Sequence, residues 1–168
     1  MPEVVVSERV SDEPAPRGEN RLEQVMLERH NAARRAVGAP PLQWDDALAG
    51  DALDYARYLA RNRKFEHADQ SGWTVRQGEN LWMGTRTAFT YDEMVGGWID
   101  EQRFFRRGIF PQDSSSTGRW QDVAHYTQLI WPTSTRIGCA IAANDKDEFL
   151  VCRYFPAGNI AGRDPLKG

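Results

Sequence analysis

The 168-residue chain is poor in the residues that build common metal and redox sites. It has two cysteines and three histidines. No His-Glu-x-x-His, no pair of Cys-x-x-Cys and no EF-hand loop occurs, so the local metal-binding signatures are excluded. Neither a Gly-x-Ser-x-Gly elbow nor a phosphate-cradling glycine loop is present. No apolar run approaches the ~20 residues that a membrane-spanning helix needs, so the chain is not expected to be a transmembrane protein. The first residues show no basic segment followed by an apolar stretch, which implies either a cytosolic protein or a signal already removed.

A basic excess is also lacking. Residues 1–20 hold five acids and two bases, and the rest of the chain holds 19 of each. A neutral domain offers no electrostatic footprint for a nucleic-acid backbone or an anionic membrane surface. What the chain has is apolar mass: 40% hydrophobic residues, with six Trp and seven Phe. That is enough for one compact domain with a real core.

Residues 1–20 contain Pro2, Pro14, Pro16 and Gly18 with little periodicity, and read as a flexible acidic leader ahead of a domain at 21–168. A helix from Glu19 or Asn20 to about Val37 carries the stripe Leu22, Met26, His30, Ala33 and Val37. Gly38 and Pro40-Pro41 end it. A second helix follows Asp45 or Asp46, with Leu48, Ala52, Tyr55 and Leu59 on one face. The stretch Phe65–Thr87 has no clear period and reads as a long structured loop. A third helix opens at Thr90, where Thr90 and Glu93 have capping-box spacing. Its stripe is Met94, Trp98 and Phe105, with Glu101 on the same face. A short fourth helix around Asp122–Gln128 precedes two strands, Thr135–Ala143 and Glu148–Tyr154, joined by a turn at Asn144–Asp147. Helices first and an antiparallel hairpin last imply an α+β layered domain.

A hairpin centred between Asp145 and Lys146 sets Cys139 opposite Cys152. Cross-strand neighbours of this kind are within disulfide reach. Two buried thiols are the alternative; a disulfide implies an oxidising compartment. Glu101 on an apolar stripe demands a partner, because a lone buried carboxylate is costly. An arginine or a metal would serve. His125 and Gln128 share one face of the fourth helix by their i, i+3 spacing. Ser114–Ser116, Asp122 and His125 do not read as a hydrolase triad, since a serine run among Gly and Asp is ordinary loop composition.

The segment His125-Tyr126-Thr127-Gln128-Leu129-Ile130-Trp131, followed by Ile137-Gly138-Cys139-Ala140, resembles the signature of the CAP superfamily of cysteine-rich secretory, antigen 5 and plant pathogenesis-related proteins. Cys152-Arg153-Tyr154-Phe155-Pro156-Ala157-Gly158-Asn159 is similar to its second signature. His30-Asn31-Ala32-Ala33-Arg34 and Gly78-Glu79-Asn80-Leu81 are similar to two shorter motifs. The resemblance spans about Leu22 to Gly162. It implies a three-layer αβα sandwich with a central antiparallel sheet, and a cleft whose tetrad is His67, Glu79, Glu101 and His125. It also supports the Cys139–Cys152 bridge and a secreted life, extracellular or periplasmic. His30, Asn31, Arg34, Tyr154 and Asn159 match positions that hold the fold. Many eukaryotic members carry three disulfides and this chain can make one; with its single domain, that points to a bacterial member.

The function so implied is a secreted, monomeric binding protein. Its cleft would take Zn²⁺ or another divalent cation weakly, through His67 and His125, with Gln128 in support. An apolar groove at Phe104, Phe105, Ile109, Phe110 and Trp120 would take a lipid, sterol or peptide. No firm catalytic residue is expected. The alternatives are a metal-dependent, protease-like hydrolase and an interaction domain with a vestigial tetrad.

Overall fold

The computed structural model describes residues 5–7, 13–17 and 22–168. Helix α1 (Leu22–Ala36) turns Val25, Met26, His30 and Arg34 inward; the start expected at Glu19 or Asn20 lies outside the described residues. Helix α2 (Asp46–Asn62) is capped by Asp45, whose side chain accepts the N–H groups of Ala47 and Leu48. It ends at Arg63 in a left-handed conformation. Helix α3 (Tyr91–Ile99) has the expected capping box between Thr90 and Glu93. It tightens into a 3-10 turn at Asp100–Phe104. The α-helical stripe therefore stops before Glu101, which lies on that turn. Helix α4 (Ala124–Ile130) is short and wholly buried.

Among the described residues five strands form one sheet: β1 (Val5–Ser7), β2 (Gln43–Trp44), β3 (Gly78–Thr85), β4 (Arg136–Ala143) and β5 (Asp147–Phe155), in the order β1-β3-β5-β4-β2. The three inner strands are antiparallel, as expected. Both edge strands run parallel to their neighbours, so the sheet is mixed rather than purely antiparallel. Strand β3 falls inside the stretch that reads as a loop. It is covered on both faces, and its run of Asn80, Leu81, Trp82 and Gly84 is buried without alternation. A strand covered on both sides has no polar face to reveal its period.

The α+β sandwich has one core per face. Residues of α1, α3 and α4 pack on one side of the sheet around Met26, Trp98 and Ile130. Helix α2 covers the other side through Ala52, Ala56 and Leu59. Buried Arg34 joins distant segments on the first side. Its guanidinium donates to the carbonyls of Pro40, Leu129, Trp131 and Ser134 at 2.7–3.1 Å.

The described residues of the leader make contacts with the domain. Val5–Ser7 pairs along the β3 edge, and the Ala15 N–H donates to the Thr87 carbonyl at 2.7 Å. The Arg17 guanidinium makes a two-point contact with the Glu148 carboxylate at 3.0 and 2.5 Å. Glu148 is only 4% exposed, and a buried carboxylate needs such a counter-charge.

Candidate functional site

Cys139 and Cys152 sit opposite one another in the β4–β5 register and are bonded, with Cα atoms 4.1 Å apart. The bridge ties β4 to β5.

The four tetrad residues arrive from four segments and form two His–Glu pairs. In the first, Glu79 is the second residue of β3 and faces Arg153 across the ladder to β5. Its Oε1 accepts Nδ1–H of His67 at 2.6 Å and the N–H of Ala68 at 3.0 Å. Its Oε2 lies 2.8 Å from Nε of Arg153, an ion pair between side chains 3% and 2% exposed. That approach lacks hydrogen-bond alignment, so the attraction is Coulombic. Arg153 also donates from Nη1 to Gln77 at 2.9 Å.

In the second pair, Glu101 accepts Nδ1–H of His125 on Oε2 at 2.7 Å. Its Oε1 takes the N–H groups of His125 and Tyr126 at 3.0 and 3.1 Å. The partner expected for this carboxylate is therefore the start of α4. Val123 at the N-cap provides no side-chain acceptor there, and Glu101 does so from another segment. The imidazole of His125 stacks on Trp98, with centroids 6.1 Å apart and planes 8° from parallel. Asn80 holds the His125 carbonyl at 3.0 Å and the Tyr154 hydroxyl at 3.2 Å. That hydroxyl lies 2.7 Å from Nε2 of His30, whose Nδ1 lies 2.7 Å from the Met26 carbonyl. Burial, with added repulsion from Arg34 and Arg29, lowers the His30 pKa from 6.5 to about 3. His30 is thus a neutral core histidine.

His67, Glu79 and His125 line one cleft of about 490 Å³. A second chamber of about 390 Å³ shares His67 and Glu79 and adds Gln128. In both pairs a carboxylate occupies Nδ1, which leaves Nε2 as the ring nitrogen with a free lone pair. Carboxylates that orient imidazoles in this way are common outer partners of metal sites. Among the described residues, no three His, Cys, Asp or Glu side chains cluster as a metal-ligand group. The cleft wall carries two imidazoles, those of His67 and His125, fewer than the three protein ligands usual in a catalytic zinc site.

Gln128 braces the cleft wall. Its Oε1 accepts the Gly158 N–H at 3.0 Å, and its Nε2 donates to Ser134 Oγ at 3.3 Å. The apolar group divides: Phe110 and Trp120 line the cleft, whereas Phe105 packs edge-on against Tyr126 in the core. Ile109 is 40% exposed. Sequence reasoning missed Arg76 and Asn80 and set Asn159 aside as structural. All three line the cleft. Asn159 also holds the fold, donating to the Ala124 carbonyl and accepting from Thr127. Its left-handed φ of 52° gives it both contacts. Asp122 accepts from Thr117, so Ser114–Ser116, Asp122 and His125 show no triad contact among the described residues.

Residues 27–154 match the cysteine-rich secretory protein family. Pathogenesis-related proteins 1C and 1A of Nicotiana tabacum are each 35% identical over 85% of this chain and 80% of their own length. These relatives are plant proteins and give no support to a bacterial source. Among solved structures, NaASP2 crystallised with Zn²⁺ superposes with a TM-score of 0.72 at 22% identity, covering 90% of this chain and 88% of its own. The hookworm platelet inhibitor superposes with a TM-score of 0.68 at 16% identity, covering 91% and 79%. The fold, the bridged hairpin and the family match agree: the chain belongs to the cysteine-rich secretory (CAP) protein family.

Proposed function

We propose that the chain is a secreted, non-enzymatic binding protein whose cleft holds a divalent cation between Nε2 of His67 and Nε2 of His125. The observation that carries this reading is the duplication of one arrangement. On each side of the cleft a glutamate takes Nδ1 of a histidine, at 2.6 and 2.7 Å. Glu79 and Glu101 then act as outer partners that fix ring orientation, and water completes the coordination. With two protein ligands the cation binds weakly and reversibly.

Phe110 and Trp120 form the apolar wall of the same cleft. A lipid, sterol or peptide would lie there with its polar end toward the histidines. Secretion is supported by the disulfide, since such bonds persist in oxidising compartments, and by the likeness to pathogenesis-related proteins. No helix among the described residues is long and apolar enough to cross a membrane.

Calorimetric titration of Zn²⁺ tests the cation site. Wild type should bind above pH 7, and His67→Ala and His125→Ala should each weaken binding strongly. Equal binding by all three proteins would place any cation elsewhere.

A further inference from the structure

Outside the cleft, α2 carries an aromatic ridge. Tyr55 and Tyr58 stack with centroids 5.7 Å apart and planes 15° from parallel. Trp73, from the loop before β3, lines the same two cavities as these rings. Tyr58 and Trp73 remain 36% and 40% exposed. The cavities, of about 460 and 440 Å³, flank all three rings. Their sizes are those of small-ligand sites.

The charges around the rings are mostly of one sign. Asp51 and Asp54 line the first cavity, and Glu66 and Asp69 the second. The arginine on these walls, Arg153, is 1% exposed and already paired with Glu79 and Gln77. Its guanidinium lies 5.2 Å from the centroids of both Tyr55 and Trp73. These rings therefore already hold one guanidinium against their inner sides, while Trp73 and Tyr58 keep outer surface in solvent. Lys64 interacts with the Tyr58 hydroxyl and lies 3.6 Å from Glu66, between exposed groups, and leaves the outer ring face of Trp73 uncovered. Arg57 and Arg61 line neither cavity.

We propose that this ridge is a binding site for arginine or lysine side chains of a basic peptide segment, separate from the His–Glu cleft. The cation would lie over the outer faces of Trp73 and Tyr58, where the ring quadrupole attracts positive charge. Asp51, Asp54 and Asp69 would supply its counter-charge. Arginine fits better than lysine because its planar, weakly hydrated guanidinium stacks on rings and pairs bidentately with carboxylates. A neutral sugar can stack on the same rings but would bring no counter-charge to Asp51, Asp54 and Asp69, so the charge pattern favours the cation.

The test is calorimetric titration of the full chain, at low ionic strength, with an Arg-Gly repeat peptide and with its Lys-Gly and Gln-Gly counterparts. Trp73→Ala and Asp51→Asn/Asp54→Asn should each weaken Arg-Gly binding by about tenfold. Trp73→Phe, which keeps a ring, should retain part of it. Glu23→Gln/Glu28→Gln makes the same charge change on the exposed face of α1 and should shift binding by less than about twofold. The Arg-Gly peptide should bind more tightly than Lys-Gly, and Gln-Gly should not bind. An equal loss in the α1 control would reduce the interaction to net charge. No effect of Trp73→Ala, or binding of a neutral oligosaccharide in place of the peptide, would overturn the proposal.

Discussion

Glu101 caps a helix that it does not belong to: one carboxylate oxygen takes the N–H groups of His125 and Tyr126, and the other takes Nδ1 of His125. The residue that orients the cleft imidazole also satisfies the start of α4. A change at Glu101 therefore acts on stability and on the site together.

Glu101→Ala should lower unfolding free energy by about 1–3 kcal/mol, since it orphans buried donors and removes a negative charge from a helix start. Glu101→Gln keeps an acceptor and should lose less. Urea unfolding of the two variants checks the order, and an equal loss would deny the capping role.

His30 makes stability depend on pH. Its folded pKa, about 3, lies below the ordinary 6.5, so between these values the unfolded chain binds more protons than the folded one. Stability is full above about pH 6.5 and falls as pH drops towards 3. Relative to pH 7, the loss at pH 5 should be about 2 kcal/mol. His30→Gln should flatten that part of the profile, measured by urea unfolding at both pH values.

Gly158 is pressed against the cleft wall. A Cβ there would lie 2.7 Å from Nε2 of Gln128 and 2.7 Å from Cγ of Trp131. Gly158→Ala should cost about 1–3 kcal/mol, seen as a fall in Tm of roughly 3–10 °C. An unchanged Tm would mean that both Gln128 and Trp131 give way without cost.

The leader contributes through Arg17. Arg17→Met removes the counter-charge of the nearly buried Glu148, whose Oε1 also accepts the N–H of Thr87 at 2.5 Å. The expected loss is about 1–3 kcal/mol, because Arg17 itself is partly exposed and solvent screens the pair. Deleting residues 1–18 should cost at least as much. A truncated chain with unchanged Tm would show the leader to be dispensable.

Much of the scaffold is legible in local pattern. The Asn144–Asp147 turn fixes the hairpin register and with it the cysteine pairing, and Thr90 with Glu93 marks the start of α3. Strand β3 is not legible, because burial on both faces erases its alternation. Glu101 reads as a member of an α-helical stripe, yet the chain tightens to a 3-10 turn one residue earlier and turns the carboxylate to α4. The His67–Glu79 and Glu101–His125 pairings depend on contacts between segments far apart in sequence, which no local period encodes. The family resemblance gathers the four residues into one cleft but does not pair them; the pairs are seen in the structure. Arg76 lies in an exposed loop with no pattern to mark it as part of the cleft.

The most direct test of the cleft is the anomalous signal of a Zn²⁺-soaked crystal. The account predicts a peak bonded to Nε2 of both His67 and His125 at about 2.0–2.1 Å, with Glu79 and Glu101 still on the Nδ1 atoms and water filling the remaining positions. A peak on the carboxylates with the imidazoles turned away, or no peak in the cleft at neutral pH, would contradict it.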